Sequence, residues 1–412
     1  MRIGMVLDTT SGFPPDVRVE KECKALSKAG HQLYILTRRF QGSDPETEIL
    51  QAIGVSVVRK TVPPRRKRIP EIIVASATAC DPRWFRHITN FIRQYRIEVL
   101  HVHDSILLPT ALQAAKATFV PVVADLHENM PAARRAYRSV YPFLKRTFWG
   151  LVWNYHLMRW VEGRSLKRCI RIVVVVPEAA ERIMAYGIEP HRIVEVSNTE
   201  DETTFDCSPA SVDMEILAKF SDYWTASFIG SIGPHRGVDT VLRSVRRVLS
   251  TIPNFMLLVV GANENKRKSI VSEAEALGVS EAVTVLGRQP FSKVGSYILA
   301  SNVCLVPHNN LEHTQTTIPH KLFQYMICGK PVLVSDCRPL SRVVALSKSG
   351  RIFNANDSDS LAKELLWMYH HPDELAVMGE NGRIAALGMF SWRHDASRLV
   401  NMYEEIDQEI HQ

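Results

Sequence analysis

The chain has 412 residues, 46% of them hydrophobic and 23% charged, which is enough for two or three domains with full cores. No uncharged apolar run reaches the roughly 18–20 residues that a membrane span needs. The net charge of +7 is too diffuse to imply nucleic acid, and it suits anionic ligands or an anionic membrane surface. The seven cysteines show no Cys-x-x-Cys pairs and no histidines at metal spacing. Reduced thiols in a cytoplasm, without structural zinc, are therefore expected. The first residues already read as a strand, with no secretory leader pattern.

Ile3 to Leu7 is an apolar strand, Thr9 to Val17 a loop with Gly and Pro, Arg18 to Ala29 a helix closed by Gly30, and Gln32 to Thr37 a second strand. This βαβ opening starts a parallel sheet covered by helices. A dinucleotide reader wants Gly-x-Gly-x-x-Gly at the first turn, and this turn has only Gly12. A basic loop, Pro63-Pro-Arg-Arg-Lys-Arg68, reads either as a solvated loop or as a contact for anionic lipid or a pyrophosphate-linked acceptor. Two buried strands then end in polar residues, at His103-Asp104 and at Asp125-Leu-His127-Glu128. The carboxyl ends of parallel strands are where open α/β sheets bind ligands. From Tyr141 to Arg171, Phe148, Trp149, Trp153 and Trp160 alternate with Lys and Arg. That stretch fits a helix at a membrane interface and a packed helix with snorkelling cations equally well.

Ile170 to Val176 is a buried strand, and Ile193-Val-Glu-Val-Ser-Asn198-Thr-Glu-Asp201 leads into a polar stretch reaching about Tyr223. The domain boundary is expected there. A second sheet begins at Thr225-Ala-Ser-Phe-Ile-Gly230-Ser-Ile-Gly233-Pro-His-Arg236-Gly237, whose small residues let the backbone close on a diphosphate at a helix start. Further strands follow at Leu257, Val283 and Val303. The segment Thr317-Ile-Pro-His-Lys321-Leu-Phe-Gln324-Tyr-Met-Ile-Cys-Gly329-Lys-Pro331 reads as a loop and short helix, with Pro319 at the first helical position and Gly329 past the end. Leu322, Phe323, Met326 and Ile327 form its core stripe, while His320, Lys321 and Gln324 share another. Amides near Thr317 and Ile318, with Lys321 as counter-charge, make a seat for phosphate. Asp357-Ser-Asp359 precedes an amphipathic helix and is read as an N-cap rather than a metal motif.

These stretches together resemble the retaining glycosyltransferase family 4, in the subgroup with a Pro-His-Lys-Leu-Phe-Gln-Tyr-Met signature. The resemblance implies an α/β GT-B fold, two Rossmann-like doubly wound domains facing a central cleft. Expected limits are an acceptor domain over 1–200, a linker over 201–224, a nucleotide-sugar domain over 225–389, and a helix over 390–412 crossing back. It implies donor contacts from Gly233, Arg236, Gly237, Thr316, Thr317, Ile318, Lys321, Leu322 and Gln324. His127, Asp16 and Gly12 would orient the transferred sugar. Where the family carries two acids eight residues apart, this chain has Thr316 and Gln324, and where it carries a cation after the first glycine, this chain has Ser231. Gln324 still offers a carbonyl to a ribose diol.

The expected function is transfer of a sugar from a nucleotide-diphosphate sugar to a glycan or lipid-linked acceptor in bacterial surface polysaccharide assembly. It needs no cofactor and no metal, and takes place in the cytoplasm or peripherally at the inner face of the membrane. Two alternatives stay open. An epimerase on the same frame would use Glu128 or His103 as a base, and a non-catalytic relative would bind nucleotide sugar without turnover.

Overall fold

The computed structural model describes residues 1–8, 13–42, 44–62, 80–138, 142, 147, 150 and 154–411. The chain divides into two compact units, Met1–Ser197 with Arg393–Gln412, and Asn198–Trp392.

The first unit carries β1 (Arg2–Leu7), β2 (Gln32–Arg38), β3 (Thr47–Leu50), β4 (Val55–Lys60), β5 (Val99–His103), β6 (Val122–Leu126), β7 (Arg171–Val174) and β8 (Ile193–Glu195). Their order is β3-β4-β2-β1-β5-β6-β7-β8. Every pairing is parallel except that of β3, which runs antiparallel to β4. Helices cover the sheet, so β5 and β6 are buried from end to end, His101, His103 and Asp125 included. The register places His103 opposite Asp125, which brings two polar strand ends together at the carboxyl edge. The helix Trp392–His411 also packs into this unit. Its Leu399, Met402, Tyr403 and Ile406 fall at helical spacing and are all buried.

The second unit carries β9 (Trp224–Ile229), β10 (Phe255–Val260), β11 (Val283–Leu286), β12 (Val303–Val306), β13 (Val332–Ser335) and β14 (Gly350–Phe353). They form one parallel sheet in the order β11-β10-β9-β12-β13-β14. The helices Val238–Leu249 and Ser358–His370 pack on it through Val241, Val245, Leu361 and Leu365, against Phe228, Phe255 and Leu257. Asp357 caps the latter helix by accepting from the Asp359 and Ser360 amides, and Asp359 pairs with Arg247. That pair of acids is structural.

The structure corrects two expectations. Residues 201–224 are no linker: they hold the helix Met214–Phe220, whose Ile216 and Phe220 lie one turn apart and are buried within the second unit. The Asp213 amide donates to Ser296 Oγ at 2.9 Å and anchors that helix. Nor are all thiols reduced, because Cys207 and Cys328 form a disulfide. They are 121 residues apart, so no spacing motif marks them, yet the fold brings their Cα atoms to 5.6 Å.

Gly12, the basic loop beginning at Pro63, and Phe148, Trp149 and Trp153 lie outside the described residues. Trp160 is exposed on the helix Tyr155–Leu166, with the Arg164 guanidinium 5.0 Å from its ring centroid. Among the described residues no helix is long and apolar enough to cross a membrane.

Candidate functional site

At the carboxyl edge of the first sheet, the ends of β5 and β6 meet the helix Val17–Lys28 in a buried polar cluster. Arg18 donates to Asp125 through Nη2 at 2.9 Å and Nε at 3.3 Å, and to the Val196 carbonyl at 2.9 Å. Asp125 Oδ2 also faces His127 Nε2 at 3.0 Å and His103 Nδ1 at 3.2 Å. His101, one strand pair deeper, bonds Tyr403 through Nδ1 at 2.6 Å. Burial pulls His103 down to about 3, more than Asp125 can offset, so it stays neutral. His127 behaves oppositely: burial lowers it, but the Asp125 and Asp104 carboxylates outweigh that and raise it to about 10. Its side chain is 17% exposed where Asp125 and His103 are sealed, so His127 is a cation at the cluster's open side.

Glu22, His101, His103 and Asp125 bring donor atoms within 4.8 Å of one another, a set that a divalent ion could use. However, the Arg18 guanidinium already lies against both carboxylates, 3.0 Å from Glu22 and 2.9 Å from Asp125. A second cation there would meet that charge directly, so the cluster is a hydrogen-bonded network that holds His127. Asp16 caps the helix Val17–Lys28, accepting from the Val19 amide at 3.2 Å while its own amide donates to Glu20 at 2.9 Å. Its carboxylate is therefore engaged at the start of that helix.

In the second unit, the loop after β9 and the helix His320–Ile327 bring Arg236 and Lys321 close enough for each to feel the other's charge. Arg236 Nη1 lies 2.8 Å from His308 Nε2, just beyond β12. Gly237, with φ +65°, starts the helix Val238–Leu249 against the Pro307 carbonyl, where a Cβ would lie 1.7 Å away. The Lys321 ammonium is buried 3.4 Å from the Phe228 ring centroid and has no hydrogen-bond partner among the described residues. Burial, and then Arg236, hold it well below the usual lysine range. Gly230 makes room for it, since a Cβ there would stand 3.1 Å from Nζ. Arg236 and the Lys321 amine, which has no acceptor among the described residues, form a site that favours an anion.

The other expected donor residues divide. Gly233 lies in the loop beside His235. Thr316 closes a turn through its hydroxyl on the His313 carbonyl at 3.3 Å, Thr317 is buried, and the Ile318 carbonyl accepts from Asn198 Nδ2 at 2.8 Å. Leu322 has its side chain fully buried in the core, and its amide donates to the Pro319 carbonyl. Pro319 is the N-cap, one residue before its expected place. Lys321 lies deeper than a shared polar stripe suggests, because Phe228 and the glycine loop cover it. Gln324 donates to Glu200 at 2.7 Å.

Sequence reasoning passed over His308, Tyr325 and Glu200. His308 follows a buried strand at its carboxyl end, the same signal that marked His103. Tyr325 lies on the core side, yet its hydroxyl accepts from the Ile229 amide at 2.9 Å and donates to the Ile229 carbonyl at 3.2 Å, bracing the end of β9.

Residues 16–202 match the family model described as Glycosyltransferase Family 4, and residues 211–385 that of Glycosyl transferases group 1. A D-inositol 3-phosphate glycosyltransferase of Gordonia bronchialis is 27% identical over 239 residues, 56% of this chain and 51% of that protein. The chain thus spans about half the length of the curated relatives it matches. Among solved structures, sucrose-phosphate synthase from Thermosynechococcus elongatus superposes with a TM-score of 0.77 at 16% identity, covering 99% of each chain. An Anabaena protein in complex with UDP-glucose superposes at 0.75 with 13% identity, covering 98% of this chain and 100% of that one. At such identities the likeness shows the fold alone.

Proposed function

The chain belongs to glycosyltransferase family 4, and from there we propose that it moves a sugar from a nucleotide-diphosphate sugar to a hydroxyl of a glycan or lipid-linked acceptor, with retention of anomeric configuration. The observation that carries this is Arg236 beside a buried Lys321 that has no acceptor among the described residues, at the glycine loop of the second sheet. A donor diphosphate would supply that acceptor. As the bond from the anomeric carbon to the diphosphate oxygen breaks, negative charge grows on the leaving group, and both cations and the start of the helix Val238–Leu249 would stabilise it. No metal is required in this scheme.

The acceptor hydroxyl would attack the anomeric carbon on the face that the diphosphate leaves and pass its proton to a departing phosphate oxygen. His127 would donate to the transferred sugar, and Asp16 and Gly12 would help to orient it. We place the reaction in the cytoplasm or at the inner face of the membrane, in surface polysaccharide assembly. UDP-sugars are the first donors to try, since the Anabaena neighbour was solved with UDP-glucose.

Calorimetric titration with UDP, GDP, ADP and dTDP in EDTA tests the reading without an acceptor. One nucleotide should bind the wild type and be lost in Arg236→Ala and Lys321→Ala. Absence of binding by all four would sink the transferase reading.

A further inference from the structure

Gln324 stands half-buried on the helix His320–Ile327, and Glu200 opens the second unit two residues after Asn198. Glu200 is 1% exposed. Its Oε1 accepts from the Asp201 amide at 3.1 Å and its Oε2 from Gln324 Nε2 at 2.7 Å. The segment is fixed on either side, by Asn198 Nδ2 on the Ile318 carbonyl at 2.8 Å and by the Cys207–Cys328 disulfide just past that helix.

An isolated glutamine can present either end of its amide, because turning it exchanges NH₂ and carbonyl at little cost. Facing a carboxylate it loses that choice, since an ionised carboxylate only accepts. The NH₂ must point to Glu200, so Oε1, on the other arm of the amide, points away from it. Among the described residues nothing else hydrogen-bonds to the Gln324 side chain. Gln324 lies three residues after Lys321, so the two side chains leave the helix on the same side.

We infer that Glu200 is a positioning and selectivity residue of the nucleotide site, locking Gln324 as a hydrogen-bond acceptor for a hydroxyl of the ligand whose phosphates Arg236 and Lys321 hold. This rests on the nucleotide-sugar reading above. The class selected is a hydroxyl-bearing group next to a diphosphate, a ribose diol being the fitting one. A further phosphate oxygen would meet Oε1 and be refused. The bond to a carboxylate also polarises the amide and strengthens Oε1 as an acceptor. Glu200 thus supplies, through Gln324, the negative charge that the glutamine lacks.

The pair makes an unusual prediction about charge. Gln324→Glu, which places an acid on the helix, sets two carboxylates face to face and should weaken binding of UDP roughly tenfold or more. Adding Glu200→Gln to that variant exchanges the partners and should bring the affinity back to within about threefold of wild type, a coupling that only contacting groups show. Glu200→Gln alone frees the amide to turn and should cost roughly five- to tenfold. Calorimetry with UDP reads these affinities, and a thermal-denaturation cycle on the same four ligand-free proteins reads the pairing itself.

A Gln324→Glu protein that binds UDP as well as wild type, or single and double variants whose effects simply add, would overturn the inference. A wild type that binds none of the four nucleotides overturns the nucleotide reading and this role with it. Coupling in the ligand-free cycle would then mark the pair as a structural contact only. A wild type that binds UDP while Glu200→Gln is silent overturns the role of Glu200 alone.

Discussion

Asp125 Oδ2 lies 3.0 Å from His127 Nε2, while the other oxygen of the same carboxylate takes the Arg18 guanidinium at 2.9 Å. One buried acid thus holds two cations. Burial would push Asp125 up, but Arg18, His127 and the two neighbouring histidines hold it well below the usual carboxylate range. The geometry comes from register, because β5 and β6 end side by side at His103 and Asp125.

Replacing Asp125 by Asn keeps the shape and removes the charge that both Arg18 and His127 face. Losing one partner of such a pair costs about 3–5 kcal/mol, so Asp125→Asn should lower the melting temperature of the first unit clearly. The pH dependence has a definite sign. His127 is raised from 6.5 to about 10 in the folded protein, so its stabilisation is complete below about pH 6.5 and is lost as pH rises through about 10. Wild type should therefore lose its advantage over Asp125→Asn across that window. A melting difference that stays constant from pH 6 to pH 10 would refute the assignment.

His127→Ala separates sugar handling from nucleotide binding. Affinity for the nucleotide should stay within about twofold, since Arg236 and Lys321 belong to the second unit, while kcat should fall by about 10²–10³, as when one preorganised donor is removed. Parallel losses in binding and turnover would place His127 elsewhere in the cycle.

Lys321 predicts proton uptake on ligand binding. Burial and Arg236 hold its pKa well below 10.5 in the free protein, and a bound diphosphate raises it again. Between the two values the complex holds more protons than the free protein, so nucleotide affinity should strengthen as pH falls through that interval. Calorimetry in buffers of different ionisation enthalpy measures the uptake. Lys321→Met should abolish it, and uptake that survives in this variant would belong to another group.

Much of this was legible because it rests on local rules. The parallel sheets follow from apolar runs alternating with helices, and the Asp357 cap follows from an acid placed before an amphipathic helix. His127 showed itself as a polar residue at a strand end. What stayed hidden depends on contacts between distant residues. Cys207 and Cys328 have no shared spacing, and Glu200 reaches Gln324 across 124 positions. β3 was missed because it is a four-residue edge with half-exposed positions, too short to show a period. Lys321 reads as the counter-charge of a phosphate seat, but its depth does not show in the sequence, since its covering ring, Phe228, comes from a distant strand.

Two left-handed glycines offer a controlled comparison. Gly237 (φ +65°) and Gly278 (φ +67°) share a backbone conformation, but a Cβ at Gly237 meets the Pro307 carbonyl at 1.7 Å, whereas one at Gly278 has nothing within 4 Å. Gly278→Ala should cost only the conformational penalty of about 1–2 kcal/mol. Gly237→Ala must also displace the start of the helix Val238–Leu249, so it should cost more and weaken nucleotide binding. Urea denaturation of the two variants measures the difference, and equal losses would mean that the loop yields freely.

The disulfide is checked by counting thiols. The chain has seven cysteines, of which Cys23, Cys80, Cys169, Cys304 and Cys337 are buried thiols outside the disulfide. Protein unfolded in guanidinium without reductant should react at those five, and at all seven after reduction. Opening the bridge frees a long loop in the unfolded chain, so Cys207→Ser should destabilise the second unit by roughly 2–4 kcal/mol. It also releases the segment that carries Glu200, so nucleotide affinity should fall with it, and reductant should have the same effect on wild type and none on Cys207→Ser. Seven reactive thiols before reduction would show instead that Asn198 and Glu200 hold the segment without a covalent tie.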